Sequence, residues 1–168
     1  MGVSHVKSRA YLDVETTGLS RDRSRLTVVG VATFVGSRLN TRQLFGEQIT
    51  SDAVLKLLEG VERIYTYNGS RFDLPFIRNR LGLNLRDRFS HTDLMYDCWR
   101  RDLKGGLKAV EIRLGISRRL PEVDGMMAVR LWWNYVNYHN LQALQTLLEY
   151  NREDVVNLHV LRRRLGVA

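Results

Sequence analysis

The chain has 168 residues, of which 44% are hydrophobic, with 26 Lys and Arg against 18 Asp and Glu for a formal charge of +8, and a single cysteine. That length supports one sizeable core and argues against two full domains, so one domain over residues 1–168 is expected. A lone Cys98 excludes an intramolecular disulfide, no apolar leader region follows Met1, and no apolar stretch approaches the roughly 20 residues needed to span a bilayer; a cytoplasmic protein without a membrane role is expected.

Residues 9–15 read as a strand, and residues 26–35 as a longer one rich in the β-branched Thr27, Val28, Val29, Val31 and Thr33. Gly36-Ser37 then turns the chain into an antiparallel return over 38–45. Ser51 or Asp52 caps a helix carrying Val54, Leu55, Leu57 and Leu58, which Gly60 ends, and a strand follows at 64–67. Residues 73–81 read as a helix with Pro75 near its start, and 91–93 as a short strand before a helix through Met95 and Trp99. After Gly105-Gly106, Leu107, Val110, Ile112 and Leu114 predict a short helix ending at Gly115, and a further helix is predicted over 126–138. The last helix is capped near Asn140 and carries Leu141, Leu144, Leu148, Val155, Leu158 and Leu161 as an apolar stripe, with Arg162-Arg163-Arg164 as a basic tail. Strands early and helices late predict an α/β fold in which a mixed sheet is flanked by helices, with no linker to mark a second domain.

Asp13 and Glu15 interrupt the apolar run Tyr11-Leu12-Asp13-Val14-Glu15. Residues two apart on a strand share a face, so the two carboxylates lie side by side, and their repulsion is costly unless a cation lies between them. Hard oxygen ligands suit magnesium or manganese, and two further acids downstream, Asp73 and Asp154, could complete a site for two ions. In Tyr150-Asn151-Arg152-Glu153-Asp154 the four-residue spacing places the Tyr150 phenol one helical turn from the Asp154 carboxylate, where it can orient a metal-acidified water.

Taken in order, Leu12-Asp13-Val14-Glu15-Thr16-Thr17-Gly18, Tyr67-Asn68-Gly69-Ser70-Arg71-Phe72-Asp73 and Tyr150-x-x-x-Asp154 resemble the three motifs of the DEDD exonuclease superfamily, which has a ribonuclease H-like fold. The tyrosine four residues before the last aspartate resembles the DEDDy branch; the DEDDh branch has histidine five before it, where Glu149 stands here. The chain also resembles the compact YprB-like members, and the likeness runs from residue 9 to about 165. The resemblance implies 3′-to-5′ hydrolysis of single-stranded DNA or RNA at its 3′ end, DNA favoured, releasing nucleoside 5′-monophosphates, with Asp13, Glu15, Asp73 and Asp154 holding two ions and Tyr150 at the water. It further implies that Thr16, Thr17, Gly18 and Leu19 hold the terminal nucleotide, Leu19 as a wedge, and that Asn68 and Phe72 contact sugar or base. Lys104 and Lys108, beside the Gly105-Gly106 break, are candidates for phosphate contact at a helix N-terminus.

Other readings stand beside these. Asp13 and Glu15 could cap a strand at a sheet edge, Asp73 could be a helix N-cap, and Tyr150 with Asp154 a solvated helix pair. Lys104, Lys108 and the arginine run could be plain surface, Asp93 the cap of the following helix, and His91 structural. Trp132-Trp133-Asn134-Tyr135-Val136-Asn137-Tyr138 could be core, a subunit contact in a homo-oligomer, or a base-stacking surface, with core preferred. The competing functions are a non-catalytic nucleic-acid-binding module and an endonuclease of the ribonuclease H-like class.

Overall fold

Strand β1 (Arg9–Thr16) lies at the centre of a five-stranded sheet. In the computed structural model residues 8–168 are described; residues 1–7, which include the stretch after Met1 expected to carry no apolar leader, lie outside the described residues. On one side of β1, β2 (Leu26–Val35) pairs antiparallel and continues through a Gly36 turn at φ 61° into β3 (Arg38–Phe45). On the other side, β4 (Arg63–Thr66) and β5 (Ser90–Asp93) run parallel to β1, so the sheet is mixed, as the strand order along the sequence predicts.

The alternation along β1 sorts its side chains between two cores. Ala10, Leu12 and Val14 pack with Val54 and Leu57 of α1 (Ser51–Leu57) and with Leu74, Phe76 and Ile77 of α2 (Asp73–Leu81). Tyr11 packs on the opposite face with Tyr65, with Leu94 and Cys98 of α3 (Leu94–Trp99), with Val110 of α4 (Leu107–Leu114) and with Val155, Leu158 and Leu161 of α6 (Leu141–Arg164). Asp13 and Glu15 share that second face, under α6. α5 (Gly125–Tyr138) lies along α6, with only Ala128 fully buried. Among the described residues no helix is long and apolar enough to cross a membrane.

Several local expectations change. The α1 cap is Thr50, whose side chain accepts from the Ala53 amide at 3.2 Å, because Ser51 has turned to donate to the Leu81 carbonyl. The fourth strand sits one residue earlier than 64–67. Ile112 and Leu141 are exposed, so the stripes of α4 and α6 omit them. The core reading of 132–138 holds for Trp132, which packs on Val28 and Leu147, but Trp133, Val136 and Tyr138 face outward. Arg162 is no free basic tail: its Nε donates to the Tyr11 hydroxyl at 2.8 Å and its guanidinium lies 5.5 Å from the Tyr65 ring.

Candidate active site

The cleft begins where β4 stops. The β1–β4 register runs only from Arg9–Arg63 to Tyr11–Tyr65, so the last residues of β1 extend past their parallel neighbour and leave backbone groups without a ladder partner. Asp73 fills one of those places, accepting from the Val14 amide on its Oδ1 at 3.0 Å. Asp73 is therefore the first residue of α2 and not its N-cap, a position Phe72 occupies without a side-chain bond. An Asp at that position suits the positive end of the helix while tying α2 to β1 beside Asp13.

Above the same strand, α6 delivers Tyr150, Asn151 and Asp154. One carboxylate oxygen each from Asp13, Glu15 and Asp154 lie within 4.8 Å of one another. Asn151 is fully buried; its Nδ2 donates to Asp13 Oδ2 at 3.0 Å and to the Asp13 carbonyl at 3.3 Å, while its Oδ1 accepts from Gln43 at 2.9 Å. Gly30 makes this possible. It stands opposite Asp13 in the β1–β2 register, and a Cβ there would lie 2.0 Å from the Asn151 Oδ1. Asn151 was not among the sequence candidates; an amide one residue past Tyr150 on the helix that faces the strand carboxylates was its signal.

Arg118 is the second unforeseen member. Its side chain is 6% exposed; it donates to Glu111 through Nη2 at 3.0 Å and through Nε, and to Asp154 Oδ1, while its guanidinium lies 5.7 Å from the Tyr150 ring. The loop that carries it is bound to α6: Glu153 accepts from the Arg119 and Leu120 amides, and Asn157 donates to Glu111 at 3.1 Å and to the Ser117 carbonyl at 3.3 Å. Glu111 itself is 1% exposed, so its charge needs Arg118.

Three buried acids stand with the half-buried Asp13, and desolvation and neighbouring acids raise the pKa of all four. Burial, then the charges of Asp154 and Asp73, push the Asp13 and Glu15 carboxyls well above the ordinary range. Burial lifts Asp73 to about 7 against the opposing Val14 hydrogen bond, and lifts Asp154 to about 6 against the pull of Arg118. Such groups accept a divalent cation readily, because it relieves the repulsion that burial makes costly. The donor set of hard carboxylate oxygens fits magnesium or manganese. Burial, with Asp154 and Glu15 next, also raises the Tyr150 phenol, which stays neutral at physiological pH.

The remaining candidates sit at different distances from this centre. Thr16 continues β1, its hydroxyl donating to the Gly18 carbonyl at 2.7 Å, and Thr17 binds Arg25 through both its amide and its hydroxyl; together they shape a turn that leaves Leu19 85% exposed at its tip. Asn68 adopts φ 61°, held by Asp93, which accepts from the Asn68 amide at 2.8 Å and the Ser70 amide at 2.9 Å and also caps α3 through Met95. The cap reading of Asp93 is thus met, and the same carboxylate also fixes the backbone of Asn68 and Ser70. Phe72 is half-buried against Phe76. The two lysines do not join the group. Lys108 is occupied by the Pro121 and Val123 carbonyls, and Lys104 lies exposed 3.4 Å from Asp102. His91 is structural, 2.9 Å from the Thr66 hydroxyl and pushed down to about 4, chiefly by burial.

A mixed five-stranded sheet flanked by helices, with an acidic cluster where the central strand overruns its neighbour, defines a ribonuclease H-like protein. Residues 10–166 match the RNase_H_2 family model, described as RNase_H superfamily, and the chain belongs to that family. It is similar to the uncharacterized protein YprB of Bacillus subtilis (strain 168), at 29% identity over 164 residues, covering 88% of this chain and 39% of that protein. The chain thus spans well under half the length of that curated relative. The fold is shared with Brucella melitensis NrnC bound to pGG, at 23% identity and TM-score 0.61 over 96% of this chain and 72% of that one. It is shared too with the family B DNA polymerase from the hyperthermophilic archaeon Pyrobaculum calidifontis, at 18% identity and TM-score 0.72, over 99% of this chain and 25% of that one.

Proposed function

We propose that the chain is a divalent-metal-dependent 3′-to-5′ exonuclease of the DEDDy arrangement, hydrolysing phosphodiester bonds of single-stranded nucleic acid, DNA favoured, and releasing nucleoside 5′-monophosphates. The observation that carries the reading is the convergence of Asp13, Glu15 and Asp154 within 4.8 Å, with Tyr150 one helical turn from Asp154 on the same helix. Bound magnesium or manganese ions would neutralise phosphate charge and acidify the attacking water. Asp13, Glu15 and Asp154 supply oxygens to hold them; Asp73, with Oδ1 committed to Val14, has its second oxygen left as a donor.

Asn151 fixes the rotamer of Asp13, and Arg118 fixes that of Asp154, so two ligands are oriented before anything binds. Tyr150, a neutral phenol, hydrogen-bonds the water and turns its lone pair toward phosphorus. As the new P–O bond forms, the bond to the 3′ oxygen of the preceding nucleotide breaks and that oxygen takes up a proton. The turn of Thr16, Thr17 and Gly18 holds the terminal nucleotide, the exposed Leu19 separates it from the next base, and Asn68 and Phe72 border its sugar or base. The basic net charge draws the strand to an otherwise acidic cleft.

The test is digestion of 5′-labelled single-stranded DNA and RNA, with free or blocked 3′ ends, in magnesium or manganese and in EDTA, alongside Asp13→Ala. The pGG bound by NrnC makes a short oligonucleotide a natural additional substrate. A ladder growing from the free 3′ end, lost in EDTA and in the variant, is the expected result; cutting of a circular strand would indicate an endonuclease. One observation favours a second reading, a nucleic-acid-binding module without catalysis: Arg118 already supplies Asp154 with an internal cation. Binding without cleavage under every metal condition would select it.

A further inference from the structure

A cavity of about 390 Å³ lies against the first turns of α2, and its walls include Arg21, Arg78 and Arg86. Leu74 and Pro75, the two residues after Asp73, form another part of its lining, so it begins one residue past a site carboxylate. Arg78 follows Leu74 by four residues, one turn further along α2 on the same face. Two of the guanidinium groups are held by the segment that delivers Asp73: Arg21 donates to the Arg71 carbonyl at 3.1 Å and Arg86 to the Ser70 carbonyl at 3.2 Å. No carboxylate lines the cavity. The nearby acids Asp22 and Asp87 accept from Asn79 at 3.1 Å and Asn84 at 2.8 Å, and among the described residues neither forms an ion pair with the three arginines. The Arg78 side chain makes no ion pair or hydrogen bond among the described residues. Three cationic forks without carboxylate partners in one cavity, two of them anchored on backbone, suit an oxyanion such as a phosphodiester.

We propose that this cavity is a phosphate-binding subsite that takes a backbone phosphodiester of the same single strand whose 3′ end enters the carboxylate cleft. The identity of the strand rests on the nuclease reading above. The subsite fixes where the strand runs: from the cleft past the first turn of α2 and along its Arg78 face, so affinity depends on a phosphate that is not cut. It also accounts for how an acidic cleft retains a polyanion, since cationic groups stand further along the helix that Asp73 begins.

The experiment is fluorescence anisotropy of a 5′-labelled single-stranded oligonucleotide with EDTA present, so that hydrolysis does not interfere, over a series of KCl concentrations. Arg78→Ala is expected to weaken binding roughly three- to tenfold and to lower the slope of log affinity against log salt by about one, with Arg86→Ala behaving alike. Arg38→Ala, the same charge change at the β2–β3 turn, serves as the control. An oligonucleotide with uncharged methylphosphonate linkages should erase the difference between Arg78→Ala and the unmodified protein. If Arg78→Ala and Arg38→Ala bind alike, the subsite is refuted even where nucleotides are released in magnesium. If the protein binds the strand with the Arg78 dependence and releases no nucleotide with either metal, the exonuclease reading fails and the subsite stands.

Discussion

Arg118 reaches Asp154 with the same guanidinium nitrogen that donates to Glu111 at 3.0 Å, so a carboxylate of the site and an acid buried on α4 are held by one cation. The pairing orients Asp154, and it gives Glu111 its only balancing positive charge among the ion pairs of the described residues.

Arg118→Ala leaves Glu111 and Asp154 as buried, unbalanced charges and should cost about 3–5 kcal/mol of stability, the range for breaking a buried pair from one side. Glu111→Gln in the same chain should return part of that loss. Urea unfolding of the two single variants and the double variant measures the coupling; additive effects would mean that the two side chains do not share the interaction.

Gly30→Ala puts a methyl group where Asn151 Oδ1 now lies. Asn151 must swing away or the strand must shift, at about 1–3 kcal/mol, and Asp13 loses its amide partner. Activity should fall more steeply than stability accounts for, and Asn151→Ala should reproduce the loss in activity without the clash. A Gly30→Ala protein with unchanged melting and unchanged rate would refute the close approach.

The pH dependence of the metal-free protein follows from Asp73 at about 7 and Asp154 at about 6, against an ordinary value of 3.8. A carboxyl whose pKa is higher in the folded state binds its proton more tightly there, so its contribution is greatest below the ordinary value and is lost as pH rises through the folded one. In EDTA the melting temperature should therefore decline between about pH 4 and 7, each such group contributing at most about 1.4 kcal/mol per pH unit. Magnesium or manganese should flatten that decline by taking the place of the protons. A melting temperature indifferent to both pH and metal in this window would contradict it.

Tyr150→Phe keeps the ring that lies beside Arg118 and removes only the hydroxyl. Folding and strand binding should be unchanged while the single-turnover rate of nucleotide release falls about 100-fold, the lower end for a group that handles the proton or the water. A fall of less than threefold would move the water-positioning role elsewhere.

Strong local signals made most of the framework readable in advance. The β-branched run of β2, the Gly36 turn and the Asn140 cap each appear where their chemistry places them, and the Asp13/Glu15 pair betrayed itself because two acids on an apolar strand demand an explanation. Arg118 did not, because a loop arginine amid many arginines carries no local mark. Its signal lay in Glu111, four residues after Leu107 on the inner face of α4, where an acid needs a cation. Lys108 misled for the reverse reason: a lysine near a helix start looks like a phosphate ligand until the chain folds back and offers it the Pro121 and Val123 carbonyls. Outward aromatics on α5 stood only as the alternative to core, since the helical spacing of Trp132 and Tyr135 does not say how much of the helix the sheet can cover.

The residues that repel one another enter the chain far apart, Asp13 and Glu15 on the central strand, Asp73 at the start of α2 and Asp154 midway along α6. A partly built molecule consisting of the sheet with α1 and α2 bears only part of that repulsion. Docking of α6 is the step that completes the charge cluster, and the same step inserts Asn151 over Gly30 and seals Tyr11 and Tyr65 beneath Val155 and Leu158. Apolar burial by the last helix thus offsets the electrostatic strain that the helix itself creates. The cleft and the second core are thus completed by the same helix, and a divalent cation bound to the assembled cluster would stabilise the folded chain as a ligand of its native state.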